Sequence, residues 1–250
     1  MIPKIIHYCW FGKNPKPKDV LKCIESWKKY LPDYEIKEWN ESNYDVCKCQ
    51  YMADAYKEKK WAFVSDYCRI DVVNRYGGIY LDTDVEVIKS FDPLLDYKFF
   101  CGYEKNENAF ASGGGGKLFV NFGLGFGAEK SCAVLQDILN IYHDFVFYKE
   151  DGRLNLINCP IVQTDALKKY GVTCDGNNVV VGDYAVFSPE YFCPQSFYTG
   201  KTKVTRNTYS IHHYSCSWKS GKERMLIKFL GLRFANIVIK FKAKLSNAVK

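Results

Sequence analysis

The sequence predicts an α/β fold: one large domain followed by a short basic helical tail. Three observations point there. The first forty residues alternate strand, helix and strand at a length that suits parallel pairing. A strong helical stretch over residues 61–76 runs through Gly77-Gly78 directly into an alternating apolar strand. The composition is globular: 250 residues, 47% apolar, 16% aromatic and 25% charged. A chain of this length buries roughly 70–75% of its unfolded surface in a single core. That excludes a disordered tail, a collagen-like fibre and a disulfide mini-protein.

Taken in order, IIHYCW is the first strand, and Asn14-Pro15-Lys16-Pro17 is a loop. Residues 19–30 form a helix with Val20, Ile24 and Trp27 on one face. Leu31-Pro32-Asp33 stops it, and YEIKEW is the second strand. WAFVSDYCRIDVVNRY is a helix, which Gly77-Gly78 ends because glycine accepts the left-handed conformation found there. IYLDTDVEVI reads as one continuous strand, broken by Asp92-Pro93. Residues 119–126 are expected as a strand, 131–148 as a helix and 164–170 as a shorter helix ended by Gly171. Short strands follow at 179–181, 185–187 and 209–212. The domain division is 1–221 for the body and 222–250 for the tail.

Charge separates these two parts. Residues 222–250 hold eight Lys or Arg and a single acid, Glu223, a surplus of +7 that equals the net charge of the whole chain. The body is therefore balanced. In the tail, Leu226, Leu230, Phe234, Ile237, Phe241 and Leu245 gather on one helical stripe with most basic residues off it. Such a segment suits an anionic membrane surface, or a helix packed on its own domain. Phosphate contact alone explains no apolar stripe, so nucleic acid is not an expected partner. No apolar run reaches the ~18–20 residues of a membrane span. The first residues meet His7 and then lysines too early for a secretory leader. The eleven cysteines contain no CxxC pair, which argues against structural zinc and for reduced thiols in a cytoplasmic protein.

GGIYLDTDVEV carries the sharpest chemistry. On an extended strand Asp82 and Asp84 face the same way, about 7 Å apart at the backbone. Two hard oxygen ligands at that spacing can hold Mg²⁺ or Mn²⁺ and leave positions open for a diphosphate. A solvated acidic turn is the plain alternative, and the preceding apolar IYL run argues against it. An EF-hand needs glycine and glutamate where this chain has Val87 and Pro93. A P-loop fails at Ala111 and Leu118. On the preceding helix Asp66 and Arg69 are three apart and share a face. They read either as a surface ion pair worth tenths of a kcal/mol or as a polar pair aimed at sugar and ribose hydroxyls.

IPKIIHYCWFG, SWKKYLPDYEIKEWN, AFVSDYCRIDVVNRYGGIYLDTDVEVI and SIHHYSCSW together resemble the family-32 glycosyltransferases, the DxD-containing sugar transferases of capsule, lipopolysaccharide and fungal glycan synthesis. FGAEK and NCPIVQT match more loosely. The resemblance implies a GT-A-like, Rossmann-type nucleotide-sugar-binding domain. It implies metal-dependent transfer that retains the anomeric configuration. On that pattern Asp84 ligates the metal, and Asp82 contacts metal, ribose or donor sugar. Asp66 and Arg69 hold the sugar and ribose, Ser65 lies near the base, and Trp10 stacks on it. A core aromatic is the alternative for Trp10. The pattern also places a metal ligand at His212 or His213. Neighbours on a strand point to opposite faces, so at most one of them faces the metal. Trp218 and Lys219 form a flap over the diphosphate, hinged at Ser220-Gly221. Uridine is favoured over guanosine as the base, and a lipid-linked saccharide is the expected acceptor, reached from the cytoplasmic face of a membrane. No enzyme nucleophile is evident, which favours front-face attack. A DxD phosphotransferase or phosphatase is the competing enzyme class, with Glu86 where such enzymes carry Thr or Val. An inactive membrane-associated scaffold is the non-enzymatic alternative.

Overall fold

The structure is a computed structural model that describes residues 1–104, 118–197 and 199–215. The tail, Trp218 and Lys219 lie outside the described residues, as does the glycine-rich stretch 105–117.

β1 (Ile5–Cys9), α1 (Lys18–Tyr30) and β2 (Glu35–Trp39) form the expected unit, with β1 and β2 parallel from Ile5↔Glu35 to Cys9↔Trp39. α1 buries Val20, Cys23, Ile24 and Trp27 against the sheet. α2 (Gln50–Lys57) follows. α3 (Trp61–Tyr76) is buried almost continuously from Val64 to Val73, with Asp66, Arg69 and Asp71 among its buried residues. Gly77 and Gly78 have φ of +68° and +110°, the left-handed region that lets a helix turn at once into a strand. β3 (Gly78–Tyr80) then lies parallel beside β1.

Beyond this point the chain departs from the sequence pattern. IYLDTDVEVI is not one strand. Val85 N–H donates to Asp82 C=O at 3.0 Å, a turn that ends β3 and starts β4 (Val85–Val87) in a different sheet. β4 pairs antiparallel with β10 (Ser210–His212). The strand expected over 119–126 is likewise divided. β6 (Phe119–Val120) and β7 (Phe126–Ala128) are separated by a 3-10 turn at Phe122–Leu124. The helix expected over 131–148 is α4 (Ala133–Asp144), and the shorter one starts earlier, as α5 (Cys159–Lys168). β5 (Phe99–Glu104), β8 (Val179–Val181), β9 (Tyr184–Phe187) and α6 (Pro189–Phe192) complete the described strands and α-helices.

The main sheet runs β2-β1-β3-β7-β5-β9-β8, with β6 paired to β5. β7 is antiparallel to both β3 and β5, so β3 and β5 run the same way. β1, β3, β5 and β9 thus bring their carboxyl ends to one edge of the sheet. Residues alternate between the two faces along each strand. Ile6, Tyr8, Ile79 and Phe100 join one core with α1, while Cys9, Tyr80, Phe99 and Cys101 join the other with α3, α4 and α5. Among the described residues no helix is long and apolar enough to cross a membrane.

Candidate functional site

In an α/β sheet, ligands gather at the carboxyl ends of the strands, and the acidic turn sits there. The backbone fixes it from three sides. Leu81 N–H donates to His7 C=O at 3.0 Å, Asp82 N–H to Gly123 C=O at 3.3 Å, and His213 N–H to Asp84 C=O at 2.9 Å. Register supplies the third side chain. β4 begins immediately after Asp84, and Val85 pairs with His212. His212 Nε2 lies 3.3 Å from Asp84 Oδ1, and one donor atom from each of Asp82, Asp84 and His212 falls within 4.8 Å of the others. Ser215 N–H holds the second Asp84 oxygen at 2.7 Å.

His213 takes the other side. Its Nε2 is 2.8 Å from Glu86 Oε2 on the exposed face, away from the acidic turn. The expected pair of histidines therefore resolves into one facing the cluster and one facing solvent, as strand alternation requires.

Asp66 and Arg69 are not a surface pair. Their side chains are 8% and 5% exposed, and Arg69 Nη2 bridges Asp66 Oδ1 at 2.9 Å and Asp82 Oδ1 at 3.4 Å. The guanidinium also lies 4.9 Å from the Tyr80 ring centroid, and Tyr80 O–H donates to Asp82 Oδ1 at 3.0 Å. Removing either partner of such a buried pair strands the other, at a cost of about 3–5 kcal/mol. Ser65 contributes its carbonyl, which accepts from Arg69 Nε at 3.2 Å.

The two aspartates of the turn differ electrostatically. Burial raises the Asp82 carboxyl, Arg69 works against that, and Asp84 adds to it; the net direction is up. Burial acts in the same direction on Asp84, but the His212 ring and the Ser215 N–H outweigh it and hold Asp84 well below the usual carboxylate range. Burial also disfavours charge on His212. The carboxylates of Asp84 and Asp82 prevail, and the imidazole is pushed up to about 9. His212 Nδ1 is buried and has no hydrogen-bond partner among the described residues. Two carboxylates and an imidazole converging on one point are a donor set that fits a divalent cation.

Trp10 follows β1 at the same sheet edge. Its ring is half-buried, its Nε1 donates to Asn14 C=O at 2.6 Å, and it lines a cleft of about 390 Å³ with Lys16, Glu38, Asn40, Glu41 and Ser42. Ser65 is not part of that lining. The flap residues Trp218 and Lys219 lie outside the described residues. Two neighbours escaped the sequence reading. Asn121 accepts from Gly123 N–H at 2.8 Å and donates to Glu104 Oε2 at 3.0 Å. Gly123 packs directly on Asp82. An Asn-x-Gly triplet is too common to have marked them.

Among solved structures, the PaToxG glycosyltransferase superposes with a TM-score of 0.50 at 20% identity, covering 68% of this chain and 70% of that one. That likeness establishes the fold. Inositol phosphoceramide mannosyltransferase 3 of Schizosaccharomyces pombe is 32% identical over 126 residues, which cover 45% of this chain and 34% of that protein. The mannosyl phosphorylinositol ceramide synthase SUR1 of Saccharomyces cerevisiae is 31% identical over 111 residues, covering 40% and 27%. The chain thus matches about a third of the length of these two relatives. Residues 17–100 match the family model described as the glycosyltransferase sugar-binding region containing DXD motif. That span includes Asp66, Arg69, Asp82 and Asp84, so the likeness to the DXD-containing glycosyltransferases falls on the residues gathered at the acidic turn.

Proposed function

We propose that the protein transfers a sugar from a nucleotide-sugar donor to a saccharide acceptor at the Asp82–Asp84–His212 cluster. The observation that carries this reading is the convergence of the Asp82 and Asp84 carboxylates with His212, a residue far along the chain, beside a buried Asp66–Arg69 pair. Asp84, His212 and Asp82 would hold a divalent metal. The mixed carboxylate and imidazole set favours Mn²⁺ over Mg²⁺. When bound, the metal supplies positive charge against the departing diphosphate.

The remaining work belongs to the chain. Arg69 is a fixed cation beside the turn, held between two carboxylates so that it needs no reorganisation as charge develops. Asp66, buried between the Arg69 guanidinium and the Cys159 thiol, would accept from a sugar hydroxyl. Trp10 and its cleft take the base. Uridine is the first expectation. The two fungal relatives are named for mannosyl transfer, so guanosine donors belong in the same trial. Retention by front-face attack sends the acceptor's proton to the leaving phosphate oxygen, and a covalent sugar adduct detected by mass spectrometry contradicts it. A lipid-linked acceptor, met at the cytoplasmic membrane surface in surface polysaccharide (capsule or lipopolysaccharide) synthesis, fits the basic apolar tail. Pelleting with anionic liposomes that survives removal of residues 222–250 contradicts that assignment.

The test is nucleotide release from a panel of UDP- and GDP-sugars, with Mn²⁺, Mg²⁺ or EDTA, for wild type and Asp84→Asn. Slow release from one donor, lost in EDTA and in the variant, is the expected result. Release that ignores both EDTA and the substitution contradicts the reading.

A further inference from the structure

NCPIVQT, the motif that the function left unused, lies on α5 and reaches the site through backbone hydrogen bonds. Thr164 Oγ1 accepts from Val120 N–H at 2.8 Å, and Gln163 Oε1 accepts from Phe122 N–H at 2.9 Å. Both α5 side chains are buried, at 4% and 0% exposure. Between these two anchors Asn121 Oδ1 accepts from Gly123 N–H at 2.8 Å. With Asn121 N–H donating to Gly102 C=O at 3.1 Å, all four amides of residues 120–123 are held, two of them by a helix more than forty residues away.

What this segment presents to the site is an empty position. A Cβ built on Gly123 would press into Asp82 Oδ2, well inside contact distance, and would lie 3.0 Å from Asn121 Oδ1 and 3.2 Å from Arg69 Nη1. Gly123 C=O meanwhile accepts from Asp82 N–H at 3.3 Å. The glycine touches both the backbone and the carboxylate of Asp82.

We propose that Gly123 is a positioning residue: clamped by Thr164, Gln163 and Asn121, it reserves the space in which the Asp82 carboxylate meets the Arg69 guanidinium. This rests on the metal reading above and deepens it. The distinguishing physics is which atom must yield. At Gly123 the crowded atoms are the far ends of polar side chains, which can swing away and leave the fold intact while the site is lost. At Gly127 on β7, the atoms that a Cβ would meet are those of the Phe100 ring in the core, where packing must give instead.

The experiment compares wild type, Gly123→Ala and Gly127→Ala, reading Mn²⁺ binding by the loss of the free-ion EPR signal and thermal unfolding of the metal-free protein. Gly123→Ala is expected to weaken Mn²⁺ binding at least about tenfold and to shift Tm by no more than about 2 °C. Gly127→Ala is expected to do the reverse, lowering Tm and keeping Mn²⁺ affinity. Asn121→Ala, which frees the Gly123 N–H without adding an atom, carries the same test if Gly123→Ala does not fold; it is expected to weaken binding severalfold. Wild-type Mn²⁺ affinity in folded Gly123→Ala overturns the inference, as does a Tm loss there matching that of Gly127→Ala. If wild type binds Mn²⁺ no better than Asp84→Asn, the metal reading itself fails and takes this inference with it.

Discussion

His7 lies on β1 inside the main sheet, and His212 ends β10 in the small one; both rings are buried, at 0% and 5% exposure. Their partners set them apart. Trp39 Nε1–H donates to His7 Nδ1 at 3.0 Å, so Nδ1 must accept, and the proton sits on Nε2, which meets Gly77 C=O at 2.8 Å. Every polar atom of that ring is satisfied in the neutral form. Burial and the nearby Lys37 outweigh the Gly77 contact and push its pKa down to about 4. His212 has carboxylates for company and an Nδ1 without a partner among the described residues, and its pKa rises to about 9. Burial alone therefore says little about a histidine. A ring whose hydrogen bonds close on neutral groups is part of the scaffold, and one facing two carboxylates with an atom to spare belongs to a site.

The contrast can be broken most forcefully at His212. Replacing it with asparagine removes one of three converging donors, and nucleotide release is expected to fall about a hundredfold to a thousandfold. His7→Leu should do the opposite. It strands the Trp39 N–H and the Gly77 C=O, so stability falls by about 3 kcal/mol, while the Mn²⁺ affinity of the folded fraction stays put. Urea unfolding and metal titration of both variants read the two effects. Matching losses in the two assays would erase the distinction.

Proton linkage also separates the two histidines. The His7 pKa is lowered on folding, so its stabilising contribution is complete above about 6.5 and is lost as pH falls towards about 4. The His212 pKa is raised, so its contribution, in metal-free protein, is complete below about 6.5 and is lost as pH rises through about 9. Each shift corresponds to about 3 kcal/mol. Unfolding in EDTA across that range should show the acid-side slope vanish in His7→Leu and the alkaline-side slope vanish in His212→Asn. The smallest effect belongs to His213. Its contact with Glu86 is exposed, at 41% and 43%, and His213→Ala should change stability by less than about 0.5 kcal/mol and leave metal binding alone.

What the sequence made legible followed from local signals. α1 shows a clean apolar face, α3 ends at paired glycines, and the acidic turn follows an apolar run, so these stood out. The turn at Asp82 did not, because Val85 and Val87 continue the alternation of β3 while pairing with a strand over a hundred residues later. Nor could the pattern choose between His212 and His213. That choice is made by register, and a one-residue slip against Val85 would exchange them. β5 ends in Glu104 at the site edge, yet FFCGYE lacks alternation because both its faces are buried. The Asp66–Arg69 pair was legible as a pair, but its burial and its reach to Asp82 depend on packing that no spacing encodes.

Asp82, Asp84 and His212 are proposed to form one metal-binding centre. Anomalous diffraction at the manganese edge from crystals grown with Mn²⁺ and a nucleoside diphosphate tests it most directly. A single strong peak is expected, bonded to the His212 ring and the Asp84 carboxylate, with Asp82 beside it and His213 still turned to Glu86. A peak held by other side chains, or no peak at this turn with the nucleotide bound, would contradict it.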